Sequence, residues 1–189
     1  MTDSSTRRPD HYAASAKWLH WLTALSIFII IPVGIIMHEM KPGALQNQLY
    51  DFHRSMGFVV LVLVVLRFAV RMGKGAPSPY VGLTAFERIA STTAHHLLYV
   101  LLFAMPLVGW LMTNAYSASL DVSVFGLFKL PHLIGENKAL YSKLQQAHEI
   151  GGITMAVIVF IHVGGALMHT FVKRDTVLWR MLPRKWGEG

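Results

Sequence analysis

The 189-residue sequence contains no cysteine. Without thiols, a protein cannot form disulfide bonds, bind iron–sulfur clusters, hold zinc through thiolates or attach c-type haem covalently. Any metal or cofactor is therefore held without thiolate, and the chain offers ten histidines. The composition therefore favours non-covalent sites built from histidine.

Charged residues are also scarce. They make up 14% of the chain, and hydrophobic residues make up 53%, whereas soluble domains average about 25% charged residues. The formal net charge is still +7, which suits either a nucleic-acid-binding surface or the basic flanks of membrane spans. Because nucleic-acid-binding proteins are rarely so apolar, we expect a membrane protein with no nucleic-acid partner.

Four apolar segments are long enough to cross a bilayer, for which about 20 residues are needed. We therefore predict one all-α membrane domain over residues 1–189, an antiparallel four-helix bundle. The predicted transmembrane helices are about 18–38, 53–72, 94–114 and 148–172.

The basic residues lie mostly on one side of these spans. Twelve of the 17 fall on the side that holds both termini, and five fall on the other. Since basic residues favour the cytoplasm, we predict a multi-pass protein with both termini inside and with membrane lipid as its surroundings. The apolar part of the outer connection, 114–147, is interrupted by proline and glycine and is expected to lie along the membrane interface.

Histidines in the spans indicate a site, because a polar side chain is costly in a bilayer. His148 and His162 are 14 residues apart, which places them on nearly one helical face and about 21 Å apart. By predicted depth, His53 is level with His148 near the outer surface. His20 is level with His162 near the inner surface. The sequence thus predicts two stacked pairs of imidazoles.

A pair of imidazoles with no carboxylate or thiolate beside it suits haem iron better than zinc. Without cysteine, such haem is b-type, so two haem b groups are expected. Two alternatives stay open from the residues alone. A membrane histidine can instead form an interhelical hydrogen bond, and His95 competes with His20 for the inner site.

His169 follows His162 by two helical turns, towards the cytoplasm. An imidazole at this depth, with His95 nearby, could hydrogen-bond a quinone carbonyl and exchange a proton with it. The plainer interpretation of His169 is an interfacial histidine that interacts with the helix dipole.

Three arginines are candidates for contacts with haem propionates. Arg54 follows His53 directly, and Arg67 and Arg71 end the second span. A solvated loop explains Arg54 equally well, and anchoring at the cytoplasmic interface explains the other two without a haem.

The chain resembles the bacterial cytochrome b561 family from about residue 17 to residue 184. The resemblance rests on WLHW (18–21), FHRSMG (52–57), VVLRFAVR (64–71), HHLLYVLLFAMPLVGW (95–110), VFGLFKLP (124–131), AHE (147–149), IHVGGALMH (161–169) and WRMLPR (179–184). Each segment alone is a weak signal, but their order and spacing together are specific.

The resemblance implies a di-haem cytochrome of the bacterial inner membrane that passes electrons to ubiquinone. One activity of such proteins is the oxidation of superoxide at the periplasmic face, which would make this protein a superoxide:ubiquinone oxidoreductase. Matching positions imply that His95 and His169 correspond to two further histidines of the family. The implied axial ligands are His20, His53, His148 and His162.

Two other functions remain as alternatives. The protein could be a membrane-anchor cytochrome b subunit that passes electrons between a partner dehydrogenase or hydrogenase and the quinone pool. Its donor would then be a protein docked on the periplasmic side rather than superoxide. It could also be a non-redox membrane transport or binding module in which the histidines are structural.

Overall fold

A computed structural model describes residues 12–182 and contains four long helices. Two short strands separate the third and fourth helices, and one 3-10 turn follows the fourth. The elements are α1 (Ala14–Glu39), α2 (Ala44–Lys74), α3 (Ala85–Tyr116), β1 (Ser123–Val124), β2 (Phe128–Lys129), α4 (Lys138–Phe171) and the turn Trp179–Met181.

The predicted fold class, an all-α membrane four-helix bundle, is confirmed. All four helices have the length and apolar character to cross a membrane, and the shortest has 26 residues. The helices are longer than the predicted spans. The segment 38–52, which was expected to be a connection, is mostly helical because α2 begins at Ala44. The predicted fourth span starts at His148, but α4 already begins at Lys138.

Capping side chains fix where two of the helices begin. Thr84 precedes α3 and forms a capping box with Glu87, in which each side chain bonds to the backbone of the other. Asn137 precedes α4, and its side chain accepts a hydrogen bond from the amide of Leu140. These caps satisfy amides that the first helical turn leaves free.

The buried core lies midway along the bundle. Buried Ile30 and Val64 belong to it, as does one further buried apolar side chain from each helix, namely Ile27, Val60, Leu102 and Met155. We call these four residues the middle layer. Many other large apolar side chains of the helices are exposed, as expected where lipid rather than protein covers a surface.

A β-hairpin that the sequence analysis did not predict lies in the outer connection. Ser123 pairs with Lys129 in its two short strands. Phe125 and Gly126 at its tip have φ angles of 49° and 74°, a conformation that costs little only for glycine. The buried hydroxyl of Ser55 on α2 accepts a hydrogen bond from the Phe125 amide at 2.9 Å. This bond joins the hairpin to the bundle.

Residues 175–182, which we call the C-terminal segment, fold back across the end of the bundle that is predicted to face the cytoplasm, which we call the inner end. The Lys17 ammonium donates to the Leu182 carbonyl at 2.7 Å, and the Trp21 indole donates to the Met181 carbonyl at 2.9 Å. Arg180 donates to a carbonyl in the connection between α2 and α3. The segment therefore links three separate parts of the chain.

Candidate functional site

The two outer histidines face each other near the outer end of the bundle. The ring centroids of His53 and His148 are 6.1 Å apart, and the ring planes are inclined by 75°. The Nδ1 atom of each ring is buried and makes no hydrogen bond. A buried polar nitrogen without a partner needs an explanation, and an ion or cofactor at the site is one such explanation.

Three histidines, rather than two, meet at the inner end. The ring centroids of His20 and His162 are 6.2 Å apart, and those of His95 and His162 are 5.1 Å apart. The structure therefore brings both predicted candidates for the inner site beside His162. The donor set at this end is again imidazole nitrogen.

The separations can be compared with the geometry of a metal held between two imidazoles. With metal–nitrogen bonds of about 2 Å on opposite sides, the ring centroids lie about 6 Å apart. The pair His53–His148 and the pair His20–His162 both meet this condition, whereas His95–His162 is too close. Within residues 12–182, no group of three or more histidine or acidic side chains is arranged to hold a bare metal ion. Each pair therefore suits a metal that brings its own equatorial ligands.

The hydrogen bonds of the inner histidines differ. Arg67 donates to His20 Nδ1 at 3.1 Å, whereas His95 Nδ1 lies 2.5 Å from the Ser91 carbonyl. A histidine that binds metal through Nε2 carries its proton on Nδ1 and needs an acceptor there. His20 can therefore bind iron through Nε2 only if Arg67 turns away. The face of the Tyr99 ring, 5.6 Å from the guanidinium carbon, is one place where Arg67 is already stabilised.

A cavity opens beside the inner histidines. His20 and His95 line it together with Arg67, Arg71 and other residues, and Met181 of the C-terminal segment also lines it. Two of the three arginines that were predicted as propionate contacts thus lie at one cavity. A cavity with two guanidinium groups suits an anionic group.

His169 is buried, and it is not among the residues that line this cavity. Its Nδ1 lies 2.6 Å from one carboxylate oxygen of Asp175, and the other carboxylate oxygen accepts a hydrogen bond from the Val177 amide. Although burial raises the pKa of Asp175, these hydrogen bonds hold it below its usual value. His169 was predicted as a site residue from the sequence, whereas Asp175 was not, because its position depends on the turn after α4.

The basic side chains near the outer site are paired with carboxylates. Arg54 forms an ion pair with Asp51 at 3.0 Å and stacks on the Tyr50 ring. Lys129 of the hairpin contacts Asp121 at 2.6 Å, and the hydrogen bond from Lys129 lowers the pKa of that carboxyl. Arg54 is therefore beside His53, as predicted, but its charge is shared with Asp51.

A spacing of 14 residues recurs in all four helices, although the sequence analysis used it only for α4. The pairs are His20 and Gly34 in α1, His53 and Arg67 in α2, His95 and Gly109 in α3, and His148 and His162 in α4. The middle layer lies halfway between the members of these pairs. Each helix thus presents one outer, one middle and one inner position on one face, about 10 Å apart.

Histidine pairs held between the helices of a bundle are typical of metal and cofactor sites in such folds, and b-type haem is commonly held by histidine. Comparison with known proteins assigns the class. The sequence profile described as prokaryotic cytochrome b561 matches residues 11–184. The chain belongs to this family and is a membrane electron-transfer protein, and the family implies b-type haem.

Individual relatives align with this chain over nearly its whole length. The chain is 27% identical to cytochrome b561 homolog 2 of Escherichia coli (strain K12) over 180 residues, which is 95% of each protein. It is 28% identical to a protein of Yersinia pestis named "Probable superoxide oxidase CybB", over 93% of this chain and 98% of the relative. Membership of a cytochrome family argues against the alternative of a non-redox transport module.

Proposed function

We propose that the protein is a di-haem b-type cytochrome that transfers electrons across the bacterial inner membrane to ubiquinone, and that it oxidises superoxide to oxygen at the periplasmic face. The observation that carries this proposal is the pair of matched separations, 6.1 Å at the outer end and 6.2 Å at the inner end. Two equal bis-imidazole sites at opposite ends of a membrane bundle suit a path for electrons.

The residues that would hold haem are His53 with His148 at the outer level and His20 with His162 at the inner level. Haem, when bound, supplies reversible one-electron transfer, and the protein supplies ligation and electrostatics. The separation of 6.2 Å favours His20 over His95 as the partner of His162.

Arg67 and Arg71 would meet propionates at the inner level. Both line the inner cavity, and Arg67 needs an anionic partner if it is to release His20 Nδ1. A propionate is such a partner, because charge-assisted hydrogen bonds from guanidinium to carboxylate are strong. Arg54 is a less favourable contact for a propionate of the outer haem, because its charge is already paired with Asp51.

Quinone reduction needs protons, and His169 is our candidate to deliver one. Its Nδ1 is held by Asp175, so Nε2 is the atom left to give a proton to a quinone carbonyl, while the carboxylate stabilises the protonated ring. His95 is a second candidate contact because it lines the inner cavity. In sum, two superoxide ions, one ubiquinone and two protons from the cytoplasm give two oxygen molecules and one ubiquinol.

Superoxide as the donor is supported by the printed name of the Yersinia pestis relative. The test adds superoxide to the purified protein loaded with quinone and follows haem reduction, with a matched sample containing superoxide dismutase. We expect haem reduction only without dismutase. If superoxide fails but dithionite reduces both haems, the protein is an electron-transfer subunit with a protein donor.

Ligand assignments are tested by haem content per chain. Replacing His53 or His148 by alanine should remove the outer haem and keep the inner one. Replacing His162 should do the reverse. For the choice at the inner level, loss of a haem in His95→Ala together with two haems in His20→Ala would refute our pairing.

His169→Ala is designed to leave haem ligation untouched. We expect two haems in this variant and slower reduction of ubiquinone. Unchanged quinone kinetics would remove His169 from the site.

The orientation that we propose places both termini in the cytoplasm, because most basic residues lie on that side. A reporter fused after residue 189 that is active only in the cytoplasm should be active. A reporter that needs export, fused in the same place, should be silent.

A further inference from the structure

Each outer histidine packs against a glycine of the preceding helix. A Cβ atom added to Gly34 on α1 would lie 3.0 Å from Cε1 and 3.4 Å from Nδ1 of His53. A Cβ atom added to Gly109 on α3 would lie 3.1 Å from Cε1 and 3.6 Å from Nδ1 of His148. The same contact thus occurs in both helical hairpins, and any larger side chain at either glycine would press on the ring.

Each of the two rings also has an unpaired Nδ1 atom on the side that faces the glycine. The Nδ1 atoms of His53 and His148 are buried and lack a hydrogen bond of ordinary geometry, but the carbonyls of Ile30 and Met105 are within range of the two rings. Each carbonyl belongs to the residue four positions before the glycine. Since a glycine has no side chain to cover the carbonyl of the preceding turn, an imidazole can approach it there.

A histidine that binds metal usually donates its other ring N–H to a carbonyl or carboxylate, which fixes both the tautomer and the ring orientation. We propose that Gly34 and Gly109 are positioning residues for the outer haem, because they let His53 and His148 direct Nδ1 at a backbone carbonyl and Nε2 at the iron. This inference rests on the proposed function, in which His53 and His148 are the outer ligands.

Ordinary helix packing is the competing explanation, since glycines are common where membrane helices approach closely. Two observations favour the specific role. The ring contact occurs at both outer ligands, whereas an added Cβ at Gly57 or Gly164 has no neighbour within 4 Å, and one at Gly151 meets only the flexible side chain of Met105. At the inner level the side chain beside His20 is Arg67 and the side chain beside His162 is His95.

The experiment is a graded series at each glycine, Gly34→Ala, Gly34→Val, Gly109→Ala and Gly109→Val, with Gly73→Ala as the matched control. Gly73 also lies in a helix and has nothing within 4 Å of an added Cβ. The readouts are haem per chain, the electron paramagnetic resonance signals of the two oxidised haems, and the thermal unfolding temperature.

We expect both alanine variants to shift the signal of the outer haem only. Both valine variants should lower haem content from two to one per chain, with the inner haem retained, and the control should match the unsubstituted protein. The glycines are on different helices, and Gly34 shares its helix with the inner ligand His20. Loss of the same outer haem from both sites is therefore not expected from packing.

Two results would overturn the inference. Valine variants with two haems and unshifted signals would show that the rings do not depend on the glycines. Loss of both haems together with a fall in unfolding temperature would assign the glycines to helix packing. If the unsubstituted protein binds no haem between His53 and His148, the proposed function fails as well, so the two failures are distinguishable.

Discussion

The charge of Arg67 should raise the reduction potential of the inner haem. Arg67 has to leave His20 Nδ1 when that ring binds iron, but it lines the same cavity as His20, so we take a separation of about 7 Å between its charge and the iron. With an effective dielectric constant of about 20, a unit charge at this distance contributes about 2 kcal/mol, or roughly 90 mV for one electron. A positive charge favours the reduced state, which has one more electron.

Arg67→Leu should therefore lower the potential of the inner haem by at most roughly 90 mV, because a paired propionate offsets part of the charge, and it should leave the potential of the outer haem unchanged. Potentiometric titration of the haem absorption bands measures both values. Arg67→Lys keeps the charge and serves as the control, with a smaller shift expected. Unchanged potentials in Arg67→Leu, or a shift of the outer haem alone, would refute the electrostatic reasoning and the placement of the inner site.

Three further substitutions test contacts outside the haem sites. Ser55→Ala should lower the free energy of unfolding by about 1–3 kcal/mol, because it removes the buried hydroxyl that accepts from the Phe125 amide; an unchanged unfolding temperature would contradict this. Asp175→Ala should destabilise by a similar amount, about 1–3 kcal/mol, since His169 loses its partner. The lowered pKa of Asp175 means that its contribution is present at neutral pH and is lost as the pH falls below about 4, near the ordinary value of 3.8, so the difference between the two proteins should vanish in acid. Trp21→Phe should cost about 1 kcal/mol and speed proteolysis of the C-terminal segment; equal cleavage rates would show that this hydrogen bond does not hold the segment.

The sequence predicted those features that depend on one helix at a time. The four spans follow from hydropathy, and the levels of His148 and His162 follow from 14 residues of regular helix. Depth then paired His53 with His148, and the structure brings these two rings together. The pairing needed no lateral information, because each helix crosses the membrane once and its residues are ordered by depth.

Features that depend on lateral packing were missed. Gly34 carries no chemical group, and only its contact with His53 shows its importance. Depth could not decide between His20 and His95, because both lie at the inner level; the separations from His162 distinguish them. Asp175 comes near His169 through a turn that helix periodicity does not describe.

The middle layer has a consequence for the energetics of turnover. Ile27, Val60, Leu102 and Met155 separate the two levels with apolar side chains, so an electron that passes between the levels moves without an accompanying proton. The levels are about 21 Å apart, which is about two-thirds of a hydrocarbon core of about 30 Å. Moving one electron inward against a membrane that is negative inside then costs about 1.5 kcal/mol per 100 mV. With the proposed direction of electron transfer, the turnover rate should therefore fall as the membrane potential rises.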